Sequence, residues 1–133
     1  MTRTKINPAN FTKTVGAYSQ GLKVDIGEKF MIFVSGQLAM DADGQPVAPG
    51  DLSAQTRIIF ENIKKILNEA GATLEDIVKV QIFLTDIKTF AQVSAVRNEY
   101  LAKIQPVSTL VETSRTVRAG CEVEIEVTAI LDK

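Results

Sequence analysis

The sequence contains no histidine and no tryptophan, and its 133 residues include one cysteine, Cys121. Without histidine, the chain lacks the commonest protein metal ligand and the side chain that most often exchanges protons near neutral pH. A single cysteine cannot form a disulfide within the chain, which predicts a reducing compartment such as the cytoplasm. No cysteine cluster can hold zinc or iron–sulfur. We therefore expect no metal site, and any catalysis must use carboxylates, hydroxyl groups, amines, guanidinium groups, backbone amides and water.

Strong net charge and long apolar runs are also missing. Fifteen Lys and Arg residues oppose sixteen Asp and Glu residues, for a formal net charge of −1. This balance lacks the basic excess typical of nucleic-acid-binding surfaces. No apolar run approaches the roughly 20 residues of a membrane-spanning helix, and the N-terminal segment has no apolar signal-peptide core. We expect partners that include neither nucleic acid nor a membrane.

What the sequence does contain is the pattern of one α+β domain covering residues 1–133. Hydrophobic residues make up 45% of the chain, enough for a core. Their spacing predicts five strands and two helices. The strands are expected at 18–24, 30–35, 78–84, 107–113 and 121–130, and the helices at 51–70 and 87–103.

Three local patterns carry specific expectations. The continuous apolar run 30–35 predicts a strand buried on both faces. Alternation in the strand 78–84 predicts that Val78 and Val80 share one face. Asp51 or Ser53 is expected to cap the first helix. Two helices can cover only one face of a single sheet, so the apolar residues of the other face predict self-association.

The final strand carries a row of acidic side chains, Glu122, Glu124 and Glu126, on one face. Such neighbours lie roughly 7 Å apart, close enough for like charges to repel. One interpretation is a solvated face, or a face paired with cations such as Lys79. The other is that at least one glutamate faces a cleft and acts as an acid, a base or a water-positioning group. The pattern alone leaves both open.

Several segments, taken in order and spacing, resemble the Rid superfamily of reactive-intermediate deaminases, also called the YjgF/YER057c/UK114 or L-PSP group. They are VGAYSQG, FVSGQLAMDADGQPV, GDLSAQTRIIFENIKKILNEAGATLEDIVKVQIFLTDI, QPVSTLVE and VEIEVTAI. The resemblance runs from about Gly16 to Ile130. It implies a chorismate mutase-like fold in which one mixed sheet is backed by two helices. It also implies a homotrimer with a small-molecule cleft between each pair of subunits.

The resemblance also implies a chemistry. Deaminases of this family hydrolyse short enamines and imines, such as 2-aminoacrylate and its imine tautomer, to 2-keto acids and ammonia, without a cofactor or metal. Carried over by position, Tyr18 matches the family's cleft tyrosine. Gly36 matches the glycine whose backbone lines the pocket. Glu124 matches the glutamate that positions or activates the attacking water.

One departure from the family concerns the strand that follows Pro106. In the active members this strand begins Pro-Ala-Arg-Ser or similar, and its arginine binds the substrate carboxylate as a bidentate pair. Aligned on Pro106 and Glu112, that arginine corresponds to Ser108, and a small or cysteine position corresponds to Leu110. This predicts weak activity on acids of the 2-iminopropanoate type.

Two cations follow in the next loop, Arg115 and Arg118. Either is a candidate to replace the missing anchor. Three functions therefore stay open: hydrolysis of an imine or enamine, metabolite binding by a trimer without turnover, and the endoribonuclease or translation-inhibitor role of some relatives. The third ranks last, because the chain has no basic excess, no histidine and few aromatic residues for stacking on bases.

Overall fold

The computed structural model describes all 133 residues, with six strands and two α-helices. Two short 3₁₀ helices, Leu74–Asp76 and Ile87–Thr89, precede β4 and α2. Neither α-helix has the long apolar stretch that crossing a membrane requires. The elements in chain order are β1 Arg3–Ile6, β2 Gly21–Asp25, β3 Lys29–Gln37, α1 Leu52–Glu69, β4 Ile77–Leu84, α2 Phe90–Leu101, β5 Val107–Glu112 and β6 Val123–Asp132.

All six strands form one sheet in the order β1-β2-β3-β6-β4-β5. The pair β4–β5 is parallel, because α2 returns the chain to the same end of the sheet, and the other pairs are antiparallel. The α+β class and the single mixed sheet backed by two helices are confirmed. The edge strand β5 pairs only with β4, so its outer side is free of strand partners.

The core lies between the helices and one face of the sheet. Helix α1 contributes a stripe at helical spacing that includes Ile59, Phe60, Ile63 and Leu67, all without solvent exposure. The cap of α1 is Asp51, whose side chain accepts a hydrogen bond from the Ala54 amide at 3.0 Å. From the sheet, alternate residues of the central strands complete the core: Ile32, Val34, Val80, Ile82, Val123, Ile125 and Val127.

No helix covers the second face of the sheet. Phe33 on β3 is 42% exposed, and Val111 on β5 is 40% exposed. The expectation that the strand 30–35 is buried on both faces is therefore wrong for the single chain. The register places Phe33 opposite Thr128, and Phe83 opposite Glu124 on one side and Val111 on the other. We call this surface the open face.

Two N-terminal expectations differ from the structure. Strand β1 was not predicted, because its sequence RTKI is polar and only Ile6 is buried. Strand β2 begins at Gly21, so Tyr18 lies in the preceding loop rather than in a strand. Position 21 itself has no room for a side chain, since a Cβ on Gly21 would lie 2.7 Å from Ile66 Cγ2.

The prediction that Val78 and Val80 share one face of the sheet is wrong, because a β-bulge lies at the start of the strand. The register shifts between Ile77 and Lys79, so that strict alternation begins only at Val80. Val78 is 41% exposed while Val80 is fully buried. The remaining differences are small: α2 begins three residues later than expected, after its 3₁₀ turn, and β6 is displaced by two residues toward the C-terminus.

A buried polar side chain on α1 fastens two loops to the core. The side-chain amide of Gln55 donates to the Val47 carbonyl at 3.2 Å and to the Gly120 carbonyl at 2.7 Å. Its carbonyl oxygen accepts from the Glu122 amide at 3.0 Å. With no solvent exposure, Gln55 replaces the water that these backbone groups would otherwise bind.

We expect Gln55→Ala to lower the free energy of unfolding by about 2–3 kcal/mol, because it leaves loop backbone groups without partners. Urea unfolding at one fixed protein concentration measures this loss. The matched control is Gln92→Ala, also in a helix but exposed, which should change stability by less than about 0.5 kcal/mol. Equal losses in the two variants would contradict the assigned role of Gln55.

Candidate functional site

A pocket of about 290 Å³ opens where β3 ends beside β6. Its lining includes Tyr18, Gly36, Arg118 and Glu124, four of the residues singled out from the sequence. They come from a loop, the end of a strand, a second loop and the last strand. The fold therefore gathers residues separated by more than a hundred positions, and we call this site the Glu124 pocket.

The position of Glu124 depends on a bulge and on the absence of a side chain at Gly36. Between Val34 and Gln37 the β3–β6 register gains one residue on β3. The carboxylate of Glu124 lies directly over Gly36, where an added Cβ would be 2.2 Å from Oε2. Only glycine leaves room for this carboxylate, so the sequence Ser35-Gly36-Gln37 fixes where the acid lies.

Burial raises the pKa of the Glu124 carboxyl, and the neighbouring charge of Glu126 raises it further. Neither glutamate forms an ion pair, so the cation-paired interpretation of the acidic row does not apply to them. Glu122 has a separate, structural contact: its Oε1 accepts a hydrogen bond from the Gly50 amide at 2.9 Å. The three acids thus have different environments: Glu124 lines the 290 Å³ pocket, and Glu126 lines a separate, more open depression that also includes Tyr18.

The loop that carries Tyr18 is attached to β3 by a pair of buried glutamines. Gln37 donates to the side-chain oxygen of Gln20 at 2.9 Å, and Gln20 in turn donates to the Thr12 carbonyl at 2.8 Å. The Ser35 hydroxyl donates to the Ser19 carbonyl at 2.6 Å. Tyr18 itself is 51% exposed at the pocket rim. The two glutamines were not predicted from the sequence; for Gln37, a polar residue at the end of an apolar strand was the available signal.

Of the two candidate cations, only Arg118 lines the Glu124 pocket; Arg115 is exposed and lies outside it. The loop between them is held by Thr116, whose hydroxyl contacts the carbonyls of Arg118 at 3.0 Å and Cys121 at 2.6 Å. Cys121 is buried, and burial raises the pKa of its thiol, which disfavours the reactive thiolate. No three His, Cys, Asp or Glu side chains lie together as metal ligands.

Ser108 and Leu110 lie apart from the Glu124 pocket. The parallel register sets them opposite Val80 and Ile82, whose side chains face the helices. Leu110 packs against the core, and Ser108 lines a different groove of about 440 Å³ beside the end of α2. Because Glu124 belongs to the open face and Ser108 to the helix-bearing face, one chain does not bring these residues together.

Comparison with known proteins gives consistent matches over nearly the whole chain. The family model described as Endoribonuclease L-PSP matches residues 9–131. A RutC family protein of Pyrococcus abyssi is 41% identical over 121 residues, which cover 91% of this chain and 90% of that protein. The crystal structure of yeast Mmf1 has a TM-score of 0.87 and 30% identity, covering 99% of this chain and 100% of that one. The structure of E. coli TdcF with bound serine has a TM-score of 0.81 and 31% identity, covering 96% and 98%.

These matches, together with the six-stranded mixed sheet backed by two helices, define the class of protein. The chain belongs to the Endoribonuclease L-PSP family, which is the Rid or YjgF/YER057c/UK114 superfamily. The resemblance stated from the sequence segments is thereby confirmed. The roles that it implies for Tyr18, Gly36, Ser108 and Glu124 stay predictions.

We expect Gly36→Ala to push the Glu124 carboxylate out of its place, because the new Cβ would overlap Oε2. The carboxylate would move toward water, and the pKa of Glu124 would fall toward its ordinary value. Side-chain ¹³C NMR titration of the glutamates measures this shift. The control is Gly16→Ala, where the nearest atoms to an added Cβ lie at 3.5 Å, an ordinary contact. An unchanged Glu124 titration in Gly36→Ala would refute the steric argument.

Proposed function

We propose that this protein hydrolyses a small imine or enamine to a carbonyl compound and ammonia, using Glu124 to handle the proton of the attacking water. The observation that carries the proposal is the Glu124 carboxyl itself, partly buried over Gly36, with its pKa raised and Tyr18 on the same pocket wall. A carboxyl whose pKa is raised toward neutral pH can both accept and return a proton.

The reaction needs only water as co-reactant. An enamine first takes up a proton at carbon and releases one from nitrogen, which gives the imine. Glu124 accepts a proton as the water oxygen bonds to the imine carbon, and the electron pair of the C=N bond moves to nitrogen, which takes up a proton. The resulting carbinolamine then loses its C–N bond. The hydroxyl oxygen forms the C=O bond and releases its proton, the nitrogen acquires a third hydrogen, and ammonia leaves.

The proposal includes a homotrimer with one cleft between each pair of subunits. Two features support it: the open face exposes Phe33 and Val111, and the Glu124 pocket and Ser108 lie on opposite faces of one sheet. A neighbouring subunit can bring a second Ser108 to the pocket.

The size of the pocket suits a ligand of a few heavy atoms, and the related TdcF was solved with bound serine.

A second proposal is that the trimer binds a metabolite without turnover. The feature that favours it is the neutral Ser108, which offers one uncharged hydrogen bond where a guanidinium would offer two charged ones. RNA cleavage, the role in the family's name, has less support. The Glu124 pocket contains a partly buried acid where a polyanion would need an excess of cations.

We expect Glu124→Gln to abolish ammonia release, because an amide cannot accept the proton of the attacking water. Freshly generated 2-iminopropanoate and bulkier neutral imines would be the substrates, with ammonia measured continuously. Glu28→Gln, an exposed turn residue, is the control and should retain activity. Turnover that survives in Glu124→Gln would refute the role of Glu124, and bound ligand without any turnover in the wild type would favour the binding proposal.

The same variant should be more stable than the wild type at pH 7. Since folding raises the pKa of Glu124, the unfolded chain loses this proton at lower pH than the folded chain, and stability falls as pH rises between the two values. The side chain of Gln does not ionise, so the variant does not lose this stability as the pH rises. We expect a higher Tm for Glu124→Gln at pH 7 and no gain below about pH 3, where the acid is protonated in both states. A gain that is the same at both pH values would contradict the titration argument.

We expect Phe33→Glu to dissociate the assembly, because it places a charge in the apolar part of the open face. Sedimentation velocity would show trimer for the wild type and monomer for the variant. Ile26→Glu is the control, since Ile26 is similarly exposed at 46% but lies in the β2–β3 turn. A trimer that persists in Phe33→Glu would exclude the open face as the interface.

A further inference from the structure

A second groove, of about 440 Å³, lies between the end of α2 and the start of β5. We call it the α2–β5 groove. Its polar lining comes from Arg97 and Asn98 on the helix, from Gln105 in the connecting loop and from Ser108 on the strand. Gln105 has a left-handed backbone, with φ of 50°, and its amide donates to the Leu101 carbonyl at 2.9 Å. This turn sets the helix end against the strand and so shapes the groove.

Arg97 is held in place and yet has no acid partner. One guanidinium nitrogen, Nη2, donates to the Ser94 hydroxyl at 2.8 Å and to Asn98 Oδ1 at 3.2 Å, and Nε donates to the same Oδ1 at 3.3 Å. The remaining nitrogen, Nη1, donates to no protein acceptor. No salt bridge involves Arg97, whereas Arg57 pairs with Glu99. A partly buried, oriented guanidinium with free N–H groups is a ready donor for an anion.

The charges that line the groove also favour an anion. Among its lining residues Arg97 is the sole charged group, and none is Asp or Glu. The Glu124 pocket, by contrast, contains a carboxylate beside its cations. The Ser108 hydroxyl and the amide groups of Asn98 and Gln105 are further neutral donors. The α2–β5 groove therefore favours an anion without a competing carboxylate of its own.

We propose that Arg97 binds the carboxylate of a small 2-imino or 2-keto acid in this groove. The link to substrate rests on the proposed function. One subunit would supply Glu124 and the pocket for water, and its neighbour would supply Arg97 and Ser108. The cation that Ser108 cannot provide would then come from α2, which lines the same groove. The activity on 2-imino acids would then be higher than the sequence predicts. Because β5 is an edge strand, its outer side has no strand partner and leaves room for a neighbouring subunit beside the groove.

Arg118 is the competing anchor, and two observations place it second. It shares its pocket with Glu124, whose ionised form would repel a substrate carboxylate placed beside it. Its side chain is exposed and makes no hydrogen bond that would orient it. Arg97 has neither disadvantage.

The test measures pyruvate binding by isothermal titration calorimetry, which does not require turnover. We expect Arg97→Gln to weaken pyruvate binding by at least about tenfold, the usual scale for hydrogen bonds to a charged group. Pyruvamide, which lacks the carboxylate, should bind equally to both proteins. The charge-matched Arg3→Gln should bind pyruvate like the wild type, and Arg118→Gln should weaken pyruvate binding less than Arg97→Gln does. Circular dichroism and Tm establish that each variant is folded.

A rescue variant gives a stricter test. Ser108→Arg combined with Arg97→Gln returns a guanidinium to the same groove and should restore pyruvate binding to within a few-fold of the wild type. Wild-type affinity in Arg97→Gln, a larger loss of binding in Arg118→Gln than in Arg97→Gln, or no pyruvate binding by the wild type would each overturn the proposal. If no ammonia is released while pyruvate binding depends on Arg97, the role of Arg97 as the carboxylate anchor is supported and the proposed hydrolytic function is refuted.

Discussion

The contact between the Glu124 carboxylate and the bare backbone of Gly36 is the constraint on which the rest of the site depends. Loss of hydration is the larger of the two causes that raise the pKa of the Glu124 carboxyl, and in this fold the loss comes from lying against another strand. That approach needs a residue without a Cβ, and it needs the extra residue that the β3–β6 bulge supplies. The bulge and the glycine therefore have the same effect: together they place the Glu124 carboxylate where it is only partly accessible to water.

The loops around this contact are held by side-chain amides rather than by charges. Gln20 and Gln37 bind each other and attach the Tyr18 loop, and Gln55 attaches the loop before Glu122. Neutral amides suit this task because they satisfy buried backbone groups without adding a charge near the acid. The ion pairs, such as Arg57 with Glu99, lie on the outer surface instead, and none of them includes Glu124.

Sequence periodicity was sufficient for the helices and the central strands, because their apolar residues follow the repeats of 3.6 and 2.0. It failed at β1, where burial of Ile6 alone leaves almost no periodic signal, and at Val78, where a bulge breaks the alternation. The acids and the glycine of the site were identified through the resemblance to the Rid family. Arg97 was not, because nothing in the linear sequence indicates that a residue of α2 faces the groove beside Ser108; that is a consequence of packing a helix end against a parallel edge strand.

The opposite orientation of Glu124 and Ser108 on one sheet has a consequence for mixed assemblies. Suppose that each cleft takes its acid from one chain and its carboxylate anchor from the next. A chain without the acid then inactivates one of the two clefts that it borders, and a chain without the anchor inactivates the other. In a trimer assembled from both kinds of chain, one cleft receives both intact halves, while trimers of either kind alone have none. Each subunit then belongs to two sites, and a defect in one of them is separable from a defect in the other by exchanging chains.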